Sequence, residues 1–138
     1  MNFNKLIPEL SVSTFENSLT FYTKIIGFKI EYQREESKFA MLSFQGSQIM
    51  LEEINSKWNT GELKNPFGRG VNFQLEVTKI QPILNKLKKN NYPLFVELKE
   101  NWYRQNNQLI GNKEFLIKDP DGYLLRFFED LGKKKIKN

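Results

Sequence analysis

The sequence contains no histidine and no cysteine. The side chains most often used as general base, thiolate nucleophile and transition-metal ligand are therefore missing. A Ser-His-Asp triad, a Cys-His pair, a histidine-built zinc site and a disulfide framework are all excluded. What remains is the chemistry of carboxylates, lysines and tyrosines, or binding in which no bond is made or broken. Two carboxylate pairs stand out. Glu35-Glu36 reads as a solvated hairpin tip. Asp119-Pro120-Asp121-Gly122 reads as a turn, because proline presets φ and glycine takes the positive-φ position. The 12 phenylalanines fall in short, spaced runs and read as core rather than as a cofactor box.

The formal net charge is +5, but Lys133, Lys134, Lys135 and Lys137 supply four of those charges within the last six residues. The basicity therefore reads as a solvated tail over 130–138, not a face, and no nucleic-acid partner is expected. At 138 residues the chain is long enough for one domain with a substantial core. No apolar run approaches the ~20 residues of a membrane span, so no membrane partner is expected. The opening MNFNKLIPEL lacks the basic patch and apolar stretch of a secretory signal, which predicts a cytoplasmic protein.

The elements that must position any site repeat once along the chain. Leu6–Val12 reads as a strand. Apolar spacing of three and four from Phe15 to Ile26 predicts a helix that stops at Gly27. Strands follow over Phe28–Tyr32, Lys38–Phe44 and Ser47–Ile54. Polar residues 55–70, with Gly61, Pro66, Gly68 and Gly70, read as a linker in which Trp58 anchors the loop. The order then returns: a strand over Val71–Val77, a helix through Ile80, Ile83, Leu84 and Leu87, and strands over Tyr92–Leu98, Glu114–Lys118 and Tyr123–Phe128. This predicts one α+β domain over 1–138 built of two βαβββ modules, 5–54 and 71–129. A cleft between two such curved sheets is the natural ligand site.

Two stretches carry a family likeness over most of the chain. Ile7-Pro8-Glu9-Leu10-Ser11-Val12, with Ser18-Leu19-Thr20-Phe21-Tyr22-Thr23-Lys24-Ile25-Ile26-Gly27-Phe28, resembles the opening of the glyoxalase/bleomycin resistance/extradiol dioxygenase (vicinal oxygen chelate) superfamily. Phe115 to Phe128, through Asp119-Pro120-Asp121-Gly122, resembles its last hairpin. The resemblance places the metal-ligand positions of the superfamily's enzymes at Ile7, Glu52, Asn72 and Arg126. Isoleucine offers no donor and arginine is a permanent cation. One carboxylate, Glu52, does not hold a catalytic metal, so neither metal nor other cofactor is expected.

Glu97-Leu98-Lys99-Glu100-Asn101-Trp102-Tyr103 and Met50-Leu51-Glu52 resemble the metal-free bleomycin resistance branch, whose dimers sequester a cationic glycopeptide drug. The resemblance implies a homodimer, with strand exchange between subunits, and no catalytic residues. It also implies a ligand-binding set of Trp102, Tyr103, Phe39, Phe44, Glu52, Arg126 and Glu100. Trp102 and Tyr103 would stack on planar rings, Phe39 and Phe44 would line the cleft, and Glu31, Glu35, Glu36, Glu52, Glu97 and Glu100 would receive the cationic tail. Glu52 and Arg126 are expected to form an ion pair in place of the metal. Members of that branch are acidic overall, whereas this chain is +5, so long-range steering of a cation is absent. Two other readings stay open: a lyase or isomerase with an atypical metal site acting on a small oxygenated substrate, and an interaction module taking a peptide or metabolite.

Overall fold

The computed structural model describes residues 2–137. Strand, helix, strand, strand, strand is written twice, as β1 (Glu9–Val12), α1 (Phe15–Thr20), β2 (Lys29–Arg34), β3 (Phe39–Phe44) and β4 (Ser47–Glu53), then β5 (Asn72–Glu76), α2 (Gln81–Lys89), β6 (Val96–Gln105), β7 (Gln108–Lys118) and β8 (Leu124–Lys135). Each set forms a four-stranded mixed sheet, ordered β1-β4-β3-β2 and β5-β8-β7-β6. In each, the first strand pairs in parallel with the last, and the remaining pairs are antiparallel. This is the expected α+β architecture. No helix among the described residues is long and apolar enough to cross a membrane.

The chain packs as two compact units, residues 2–69 with 119–123, and residues 70–118 with 124–137. In the first unit, strand alternation turns Leu10, Val12, Ala40, Leu42, Ile49 and Leu51 to one face, and all are buried. Phe15, Phe21, Tyr22 and Ile26 of the helical segment are buried as well. Each large side chain so buried contributes roughly 1.5–3 kcal/mol. The helix expected to run to Ile26 is α-helical only to Thr20 and widens to a π-helical turn over Phe21–Ile26. Gly27 ends it at φ 114°, with its N–H donating to Tyr22 O at 3.0 Å.

The Asp119–Gly122 turn belongs to this first unit. Asp119 accepts the Tyr22 hydroxyl at 2.7 Å and the Asp121 and Tyr123 amides at 2.9 Å each. Asp121 accepts the Ser13 hydroxyl and amide, and the Tyr123 hydroxyl donates to Ser11 O at 2.9 Å. Burial pushes the Asp119 carboxyl up to about 6 and, with Asp119 and Asp121 nearby, the Tyr123 phenol up to about 12.

In the second unit, Phe73, Leu75, Phe115, Ile117, Leu125 and Phe127 share one face by pairing and alternation. Phe115 and Phe127 stack at 5.5 Å and are fully buried. α2 buries Ile83 and Leu87. Its first amide, on Ile80, donates to Glu129 Oε1 at 2.9 Å.

Two segments depart from expectation. Residues 99–105, read as a loop, continue β6, and β7 begins at Gln108, six residues earlier than the sequence pattern indicates. The segment 130–138, read as a solvated tail, is strand as far as Lys135. Lys133, Lys134 and Lys135 pair with Ile110, Leu109 and Gln108. The reason is common to both. Beyond Glu76 and Phe128, where β5 pairing ends, the β6–β7–β8 ribbon is half-buried or exposed at most positions, and apolar residues such as Leu109 and Ile110 fall side by side among polar ones, so no clean apolar–polar alternation marks it.

Candidate functional site

In the first sheet, the face opposite Leu10, Ala40 and Leu51 carries Glu9, Ser11, Phe39, Met41 and Glu52, with Phe39 directly across from Glu52, and Phe39, Met41 and Glu52 are buried there too. Phe39 is 2% exposed. The Arg34 guanidinium sits 4.0 Å from its ring centroid. Phe44 does not join this set: it alternates to the other face and stacks on Phe28 at 5.1 Å. The two phenylalanines expected to line one cleft therefore serve opposite sides of the sheet.

Glu52 is held by the Asn55 side chain. The carboxylate on Arg126 is Glu114, so the expected Glu52–Arg126 pair is replaced by a contact within the second sheet. The Glu9 carboxyl is pushed up, first by burial and then by Glu52, against the opposing influence of Arg34, Lys57 and a hydrogen bond with Trp58. Trp58 itself is 64% exposed. Glu31 is held below the ordinary carboxylate range by the Ser43 hydroxyl, at 2.7 Å, and by Lys29. Glu35 and Glu36 lie in an exposed 3₁₀ turn, as expected of a hairpin tip.

Alternation also divides the second sheet. Gln74, Glu76, Glu114, Asn112, Ile110, Arg126, Phe128 and Tyr103 fall on the face away from the core. Arg126 Nε lies 3.2 Å from Glu114 Oε2, and its Nη2 lies 3.0 Å from the same oxygen. Its Nη1 donates to Asn72 Oδ1 at 3.3 Å. Beside this network is an open groove of about 410 Å³ lined by Gln74, Glu76, Ile110, Phe128, Asp130 and Lys133, among others. That size suits a drug-sized ligand.

Trp102 and Tyr103 do not act together. As strand neighbours they point to opposite faces, Trp102 across from Gly111 and Tyr103 across from Ile110. The Trp102 indole lies flat on Gly111, where an added Cβ would come within 2.5 Å of the ring. Its other face holds Lys134 Nζ, 3.9 Å from the centroid, and its N–H donates to Glu100 at 3.0 Å. Trp102 is thus fully engaged by its own chain. Tyr103, 48% exposed, is the free aromatic of the pair and lies on the groove's side of the sheet. Trp102, expected to stack on the ligand, and Phe39, expected to line the cleft, already carry a cation of the protein.

The donor set does not fit a metal. Ile7 has no donor atom. Asn72 Oδ1 and both Glu114 oxygens are spent on Arg126, and the guanidinium itself repels a cation. Among the described residues no three acidic side chains come together as a metal ligand group. The groove, by contrast, was not visible in the sequence. Its lining comes from the exposed ribbon, and the one available signal was the alternation of Gln108, Ile110, Asn112 and Glu114.

Solved structures share the architecture. TioX from Micromonospora sp. ML1 is 14% identical with a TM-score of 0.71 over 94% of this chain and 100% of that one. The fosfomycin resistance protein FosX from Listeria monocytogenes is 17% identical with a TM-score of 0.59 over 94% of each chain. A glyoxalase/bleomycin resistance protein/dioxygenase superfamily member from Vibrio splendidus 12B01 is 30% identical over 89% of this chain and 95% of that one, with a TM-score of 0.43. Among curated proteins, none matches significantly. The family model described as Glyoxalase/Bleomycin resistance protein/Dioxygenase superfamily matches residues 6–127, and the chain belongs to that superfamily.

Proposed function

We propose that this protein is a metal-free binding member of the superfamily that sequesters an aromatic, cationic small molecule of the bleomycin type and works as a homodimer. The observation that carries the reading is Arg126. At a position where the superfamily's enzymes place a metal ligand, this chain places a permanent cation and commits it to Glu114 and Asn72. A guanidinium locked in that way can neither coordinate a metal nor accept a proton, and it occupies the Glu114 carboxylate. The same face offers Tyr103 for stacking, and Glu76 and Asp130 for a cation. The name of FosX, a fosfomycin resistance protein, supports drug handling within this fold.

The test is titration of the purified protein with metal-free and copper-loaded bleomycin, followed by calorimetry and tryptophan fluorescence. Saturable binding near one drug per subunit, weakened by Tyr103→Ala, is expected. A flat titration removes the named drug. Stoichiometric uptake of Mn²⁺, Ni²⁺ or Zn²⁺ with turnover of an oxygenated substrate overturns the reading in favour of a lyase or isomerase.

A further inference from the structure

The family model ends at residue 127, but β8 does not. It runs on to Lys135, and Phe128, Asp130 and Lys133 from this extension line the groove beside the Arg126 network. β8 lies between β5 and β7 in the sheet, so Gln74 and Glu76 flank it on the β5 side and Ile110 and Asn112 on the β7 side.

A single backbone feature aims the extension. Gly111 pairs with Gly132 while Asn112 pairs with Asp130, so Leu131 is an extra residue with no partner across the ladder. Gly132 takes φ +86°, and its N–H donates to Asp130 Oδ1 at 2.8 Å. A bulge of this kind shifts every later side chain to the other face. Without it Lys134 would enter the groove and Lys133 would point away. With it, Lys133 lines the groove and Lys134 closes over Trp102. The clip formed by Gly111, Trp102 and Lys134 therefore fastens the extension where it lines the groove.

We propose that the strand extension Phe128–Lys135 is the specificity element of a ligand groove on the second sheet. Its occupant is a planar or amphipathic organic cation whose charge lies between Glu76 and Asp130. This rests on the reading above that a ligand occupies this face. The chemistry of the lining is specific. Phe128 and Ile110 offer an apolar strip, Gln74, Gln105 and Asn112 offer amide donors and acceptors, and two carboxylates face one ammonium. Such a lining binds a cation with a flat apolar body and disfavours an anion of the same shape.

The experiment measures binding of two probes, bleomycin and the planar cation proflavine, to the wild-type chain and to the Glu76→Gln/Asp130→Asn double variant. Both substitutions are exposed and nearly isosteric, and circular dichroism verifies the fold. The wild-type protein is expected to bind proflavine, and the double variant to bind it about tenfold more weakly. An unchanged affinity in the folded double variant, or no proflavine binding by the wild type, overturns the proposal. Proflavine binding that is lost in the double variant, with no bleomycin binding by either, leaves the groove standing and removes only the named drug.

Discussion

Arg126 of β8 and Glu114 of β7 form a two-pronged ion pair across the strand pairing, with Nη2 and Nε at 3.0 and 3.2 Å from one carboxylate oxygen. Glu114 is 7% exposed, and beside that fork it accepts a longer bond from Gln74 Nε2 at 3.5 Å. The pair holds β7 and β8 together beside the groove, and its loss would be felt there first.

Replacing Arg126 with alanine strands the Glu114 carboxylate. We expect a loss of about 2–3 kcal/mol, the lower part of the range for a broken buried pair because Arg126 is itself 29% exposed. Arg126→Met with Glu114→Leu should recover most of that loss. Urea denaturation of the three variants checks both statements. Equal stability of Arg126→Ala and wild type would refute them.

Asp119 makes stability depend on pH. Its carboxyl titrates near 6 in the fold against an ordinary value of 3.8, chiefly because burial penalises the charged form. The folded state thus binds a proton more tightly than the unfolded one. Stabilisation from this group is fully present below about pH 3.8 and is lost as pH rises through about 6, a change of about 3 kcal/mol. Asp119→Asn should flatten stability between pH 4 and pH 6.5 relative to wild type. Parallel pH profiles for the two proteins would exclude Asp119 as the source.

Gly111 supports Trp102 by having no side chain. Gly111→Ala places a Cβ within 2.5 Å of the indole, so the ring must leave its seat. A cost of about 1–3 kcal/mol is expected. Loss of the contact with Lys134 should also change Trp102 emission. Lys134→Ala alone should cost about 0.5–1 kcal/mol. Fluorescence spectra and thermal melts of the two variants separate these effects.

Gly122 combines two demands. It holds φ +94°, and an added Cβ would come within 2.5 Å of Pro66 Cα. Backbone strain and backbone crowding act together there, so Gly122→Ala should destabilise by more than about 2 kcal/mol. A melting temperature within a degree of wild type would contradict this.

Much of the fold was legible in the residues. Gly27 marked a helix end and proved to be one, and the Asp119–Gly122 turn was readable from its proline and glycine. Strands with a dense apolar run, such as Phe39–Phe44, announced themselves. The candidate site was far less legible. Trp102 and Tyr103 looked like a joint stacking platform, but adjacency in a strand sends them to opposite faces. Phe39 and Trp102 looked open to a ligand, yet Arg34 and Lys134 come from elsewhere in the chain to cover them, and no spacing rule reveals that. The lysine run looked like a solvated end. Paired against β7, its aliphatic stems and alternating sides give it a place in the sheet.

The first compact unit contains residues 119–123, which follow residues 70–118 of the second unit and precede its last segment, 124–137. During synthesis, the ribosome therefore releases residues 2–69 long before Asp121 is available to accept the Ser13 hydroxyl or Tyr123 to reach Ser11. The amino-terminal half must wait, with the Tyr22 hydroxyl lacking its Asp119 acceptor, while some fifty intervening residues emerge. Domains usually mature in the order in which they are translated. In this chain the two halves finish together, and a polypeptide cut between them would leave the earlier half without the polar seal of its core.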